Sequence, residues 1–96
     1  MATSKEYKNF ILEQLSVLSD ITVKPMMGEY LLYKSGVLFG GIYDNRLLVK
    51  IIESNKKYDM PVVSPYDGAK SMYFVDCLDD VERLTDIVSD TYKGLL

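Results

Sequence analysis

Ninety-six residues, 48% of them hydrophobic and 26% charged, are enough for one small domain spanning 1–96 and leave no room for a second core. There is no histidine and no tryptophan, and Cys77 is the single cysteine, which excludes Ser-His-Asp and Cys-His catalysis, histidine metal sites, zinc fingers and disulfide scaffolds. The net charge of −3 is unevenly spread: residues 1–57 carry eight Lys/Arg against six Asp/Glu, and residues 58–96 carry three against eight.

The first element expected is a helix. Thr3 and Glu6 stand at capping-box spacing, and Tyr7, Phe10, Ile11, Leu15 and Leu18 recur as one apolar stripe to about Leu18. Ser19-Asp20 closes it, and Pro25 forbids its continuation. The start of the chain lacks a basic segment followed by an apolar run, and no apolar stretch approaches the roughly 20 residues needed to span a bilayer. With a lone cysteine, this predicts a cytoplasmic protein without a membrane association.

The middle predicts a three-stranded antiparallel meander, Glu29–Lys34, Val37–Tyr43 and Arg46–Ile52. Ser35-Gly36 joins the first pair and Asp44-Asn45 the second, both Asp and Asn tolerating the positive φ of a tight hairpin. Gly40-Gly41 inside the second strand marks a bulge or a close approach. Tyr30 to Tyr33 and Leu47 to Val49 are apolar or aromatic without a break, so both sheet faces carry such groups, where a one-sided sheet would alternate. If both helices lie on one side, the other requires a cover, most simply a second copy in a homodimer; the alternative is tolerated apolar surface.

Glu53 to Lys70 is a connector. Ser54 is placed to cap a short helical turn through Tyr58, Val62-Val63 to pair briefly as a strand, and Ser64-Pro65-Tyr66-Asp67-Gly68 to turn the chain. A strand over Ser71–Val75 follows. Asp79 with Glu82 repeats the capping-box spacing before a helix striped by Val81, Leu84, Ile87, Val88 and Tyr92, with Gly94 as its C-cap.

Chemistry-bearing groupings are sparse. Asp76, Asp79 and Asp80 lack the calcium-loop pattern and read as helix-capping acids. Cys77 sits among those acids, which disfavours a thiolate, and reads as a small buried residue. The glycines form no phosphate-binding loop. Duplex binding would need the basic residues of the first half, Lys24, Lys34, Arg46, Lys50, Lys56 and Lys57, and the acidic second half disfavours it. Lys50, embedded in an apolar strand, is either paired inward with Glu29 or guards an edge. Tyr30, Tyr33, Tyr43 and Tyr73 fall on expected strands, where tyrosine packs in a core or at an interface.

The run Pro25-Met26-Met27-Gly28-Glu29-Tyr30-Leu31-Leu32-Tyr33, then Gly36, then Phe39-Gly40-Gly41-Ile42-Tyr43-Asp44-Asn45-Arg46-Leu47-Leu48-Val49-Lys50, resembles the N-terminal domain of the TfoX/Sxy family. Pro65-Tyr66-Asp67-Gly68-Ala69-Lys70-Ser71-Met72 followed by a strand and a helix is similar to it as well. The resemblance implies an α+β fold, a two-layer α/β sandwich ordered α-β3-α-β2-α around an antiparallel sheet, of the secretion-chaperone-like type. It supports counting Val62-Val63 as a strand and makes a homodimer plausible. Full-length relatives regulate natural competence beside the cyclic-AMP receptor protein and carry a second, C-terminal helical domain, so a stand-alone N-terminal domain is expected here. The family brings no catalytic residue, cofactor or metal. The expectation is thus a non-enzymatic interaction module acting on transcription through a protein partner, with Glu29, Tyr33, Tyr43, Asp44, Arg46 and Lys50 as contact residues. The alternative is a small-molecule-binding or minor enzymatic domain with a pocket between the first helix and the sheet.

Overall fold

The computed structural model describes residues 2–96, and its elements run α1 (Lys5–Gln14), β1 (Ile21–Met26), β2 (Glu29–Lys34), β3 (Val37–Ile42), β4 (Leu47–Val49), a 3-10 turn (Glu53–Tyr58), β5 (Val62–Val63), β6 (Met72–Val75) and α2 (Val81–Leu95). The six strands form one antiparallel sheet in the order β1-β2-β3-β4-β6-β5. The fold is α+β.

Four strands rather than three precede the short helical turn, because Ile21–Met26 pairs with β2. Pro25, which cannot belong to a helix interior, is accepted in β1 because this strand lies at the sheet edge. Ile21 and Val23 are half-buried while Thr22 and Lys24 are exposed, the alternation of a half-covered strand.

Both helices start one residue later than the capping boxes predict. Ser4 caps α1 by accepting from the Tyr7 N–H at 3.1 Å, and Asp80 caps α2 by accepting from the Arg83 N–H at 3.1 Å. Helix α1 stops at Gln14, and Leu15–Leu18 continues only as a turn. Gly94 lies inside α2 rather than capping it: a Cβ there would come within 2.2 Å of Ser54 Oγ, so the absence of a side chain lets the 3-10 turn pack against the helix.

The core joins Ile11 and Leu15 of the α1 segment, Leu84, Ile87 and Val88 of α2, and Leu32, Phe39, Ile42, Leu47, Val49 and Val75 of the sheet. Those strand residues share one face by the pairing register, so both helices cover the same side. Burying these large side chains stabilises the fold by roughly 1.5–3 kcal/mol each before entropy is counted. The bulge expected at Gly40-Gly41 occurs one residue earlier: Leu32 pairs with Gly40 and Tyr33 with Leu38, leaving Phe39 as the extra residue. Gly40 also permits a close approach, since a Cβ there would lie 2.2 Å from the Leu48 carbonyl oxygen. No helix among the described residues is long and apolar enough to cross a membrane.

Candidate functional site

The face of the sheet away from the helices presents Leu31 and Tyr33 of β2, Leu38 of β3 and Phe74 of β6, all half-buried. Leu48 also points this way, yet it is fully buried, because segment 64–71 folds back across part of this face. Three features hold that segment. The Arg46 guanidinium donates to the Pro65 carbonyl at 3.3 Å, Pro65 itself is buried, and the Tyr66 ring packs on Tyr43 with centroids 6.3 Å apart. The cover is partial, and it leaves a groove of about 470 Å³ between sheet and segment. None of the residues lining this groove belongs to α1, although Leu95 of α2 does line it, so it is not the helix-one pocket that sequence suggests.

The six residues expected to make contacts divide into two groups. Tyr43 and Lys50 line the groove, and Arg46 pins the segment that roofs it, its Nε also donating to the Tyr43 carbonyl at 3.2 Å. Tyr33 stands on the same face. Glu29 and Asp44, by contrast, belong to a structural cluster at the hairpin end. The Glu29 carboxylate accepts from the Thr3 hydroxyl at 2.6 Å, from the Thr3 N–H at 2.9 Å and from the Asp44 N–H at 3.0 Å. Thr3, left free by the shift of the cap to Ser4, uses its hydroxyl oxygen to accept from the Asn45 N–H at 3.2 Å. Asp44 and Asn45 adopt φ of 52° and 55°, the left-handed pair that a tight hairpin turn demands. Of the two readings of Lys50, the pairing with Glu29 does not form, because Glu29 is occupied by these donors and Lys50 lies just past the end of β4.

The tyrosines sort by strand parity. Tyr30 and Tyr73 pack against the helical core, Tyr30 beneath the Lys8 ammonium at 5.4 Å, whereas Tyr33 and Tyr43 occupy the opposite face. The Tyr43 ring lies over Gly41, where a Cβ would approach it to 2.7 Å. Burial, reinforced by Tyr66, Glu29 and Tyr33 nearby, pushes the Tyr43 phenol above its ordinary range, so it is neutral at physiological pH.

Most of the basic residues on which nucleic-acid binding would depend are already engaged within the chain. Lys56 pairs with Glu53 at 3.1 Å, Lys57 with Asp90 at 3.0 Å, Lys34 donates to the Ser19 carbonyl at 2.9 Å, and Arg46 serves two carbonyls. Cys77 packs half-buried against the core.

A second polar cluster, which sequence reasoning does not single out, joins the 3-10 turn to α2. The Tyr58 hydroxyl donates to the Asp90 carboxylate at 2.5 Å, and the Arg83 guanidinium lies 5.2 Å from the Tyr58 ring centre. Burial first, then the bond to Asp90, pushes the Tyr58 phenol up to about 12, while that same bond holds the Asp90 carboxyl below its usual value. The cluster fastens two elements, and its partners are 32 residues apart in the chain, so no local motif announces it.

A scan against models of known protein families finds no match for this chain. It is similar to the uncharacterized 12.7 kDa protein in the trpE 5′ region of Spirochaeta aurantia, with 31% identity over 98 residues that cover 99% of this chain and 85% of that protein. The alignment takes in every element of the sheet, both helices and the groove. The chain therefore belongs to the same family as that Spirochaeta aurantia protein.

Proposed function

We propose that this protein is a small, non-enzymatic interaction module that pairs with a second copy of itself through the helix-free face of its sheet. One observation carries the reading: both helices cover one face, and the other keeps Leu31, Tyr33, Leu38 and Phe74 only half-buried despite the segment folded over part of it. Apolar and tyrosine side chains grouped on one flat surface are what a self-complementary interface uses. The TfoX/Sxy-like motif, which contributes Tyr30 to Tyr33 and Phe39 to Lys50 to this sheet, supports a regulatory role exerted on transcription through a protein partner.

Light scattering after size exclusion, at tens of micromolar protein, tests the pairing. The expected mass is twice that of one chain, and it falls to that of one chain for Leu38→Asp, whose buried carboxylate cannot be accommodated between two apolar faces. A wild-type mass equal to a single chain would overturn the pairing. Crosslinking in the native cells followed by mass spectrometry tests the regulatory part. A transcription factor or polymerase subunit is expected among the recovered proteins, and recovery of the chain alone would overturn it.

A further inference from the structure

The groove between the sheet and segment 64–71, to which α2 adds Leu95, has the size and lining of a small-molecule site. Its volume of about 470 Å³ falls within the roughly 300–1,000 Å³ usual for such sites. Leu31, Leu38 and Met72 supply an apolar surface, and Tyr43 and Tyr66 supply aromatic rings. The charged side chains that line it are Lys50 and Lys70, with no carboxylate among them, although the chain as a whole has 14 acids against 11 bases.

Neither lysine is neutralised internally. The ion pairs among the described residues are Lys56–Glu53 and Lys57–Asp90. Lys50 is also firmly mounted: its N–H donates to the Phe39 carbonyl at 2.9 Å and its carbonyl accepts from Asn55 Nδ2 at 2.8 Å. A half-buried lysine on a fixed backbone, beside apolar surface and without a counter-ion, attracts an anion that brings its own apolar body. Two lysines without a glycine-rich loop or a helix N-terminus at the groove suit one or two negative charges rather than a polyphosphate.

We infer that this groove binds a small amphipathic carboxylate, its apolar body against Leu31, Leu38 and Met72 and its carboxylate on Lys50, with Lys70 as the second cation. The groove is formed within one chain but shares Leu31 and Leu38 with the face proposed above for pairing, so ligand and second copy compete for these residues and the two readings are measured separately.

Methyl NMR titrations of the wild-type protein with octanoate and phenylacetate, and with their neutral counterparts octanamide and phenylacetamide, test it. At least one of the two carboxylates is expected to shift the methyls of Leu31, Leu38 and Met72 saturably, with its amide binding about tenfold more weakly. Lys50→Gln is expected to weaken the carboxylate about tenfold and leave the amide unchanged. Equal affinity of acid and amide, shifts centred on other residues, or no saturation by either carboxylate up to its solubility limit would each overturn the inference. Displacement of the carboxylate by an equal concentration of inorganic phosphate would overturn the amphipathic assignment. Should Lys50→Gln fail to fold, the acid and amide comparison on the wild type decides alone, and light scattering of the same samples reads the pairing separately.

Discussion

Glu29 illustrates how a single carboxylate can be claimed by the fold. Its oxygens accept from Thr3 twice and from the Asp44 backbone, joining residue 3 to two hairpins. Glu29→Ala leaves those donors without their acceptor and is expected to lower stability by about 1–2 kcal/mol. Chemical denaturation measures this, and an unchanged midpoint would show the cluster to be idle. Tyr58 offers a test that depends on pH. Its phenol is raised from 10.0 to about 12 in the folded chain. Between those values the folded form keeps a proton the unfolded form has lost, so this contribution is complete below pH 10 and disappears as pH rises toward 12. The lowered Asp90 contributes in the opposite sense: its stabilisation is present above the ordinary value of 3.8 and is lost as pH falls through the lower folded value. Tyr58→Phe is expected to lower stability by ~1 kcal/mol at neutral pH. It should also flatten the alkaline limb of a melting-temperature profile, and a limb of unchanged slope would contradict the assignment.

At the scale of elements, two glycines respond to the same substitution for different reasons. Alanine at Gly40 would drive a methyl to 2.2 Å from the Leu48 carbonyl oxygen and 2.9 Å from Val49 Cα, both backbone atoms of the neighbouring strand. The strands must separate, and Gly40→Ala is expected to cost on the order of 3 kcal/mol or more, comparable to the largest core defects. Alanine in a helix interior ordinarily gains about 1 kcal/mol over glycine. At Gly94 that gain is offset, because the new methyl displaces Ser54 Oγ, which donates to the Asp90 carbonyl at 2.6 Å. Thermal melts of the two variants are expected to show a large loss for Gly40→Ala and no gain for Gly94→Ala. A stabilised Gly94→Ala would mean that the 3-10 turn yields freely.

Considered as a whole, the molecule has a sheet whose inner and outer faces were partly legible in its residues. Unbroken runs such as Tyr30 to Tyr33 announce apolar groups on both faces, and both helices do lie on one of them. The hairpin at Asp44-Asn45 was equally legible, because positive φ restricts residue choice so strongly. Strand β1 was not, since Pro25 and Lys24 weaken its pattern and only pairing with β2 makes it a strand. The groove was not legible either. It exists because Arg46 reaches 19 residues along the chain to Pro65, and long-range hydrogen bonds leave no periodic mark. Similarly, the one-residue slip of the first cap follows from a tertiary demand: the Thr3 hydroxyl is engaged with Glu29 and the Asn45 N–H instead of with its own helix. The pairing of two copies belongs to this scale as well. If the helix-free face is an interface, Leu38→Asp halves the mass in solution while the helical core, to which Leu38 does not belong, is retained.

Asn55 has a wider consequence. Fully buried, its amide donates to the Lys50 carbonyl and to Thr91 Oγ1, both at 2.8 Å, and its oxygen accepts from the Ile52 N–H at 3.1 Å. The end of the meander and the last helix are thereby riveted by one side chain with every polar atom satisfied. Detaching α2 breaks the bond from Asn55 to Thr91 and opens the core that the helix shares with the sheet, so the two are expected to melt together. Native-state hydrogen exchange in α2 and β4 is therefore expected to follow the global unfolding free energy, and faster exchange in α2 than in β4 would contradict it. Residues 64–71 stand outside this network, held to the sheet by one guanidinium, one tilted ring pair and the buried Pro65, so exchange there is expected to be faster than in α2 and β4.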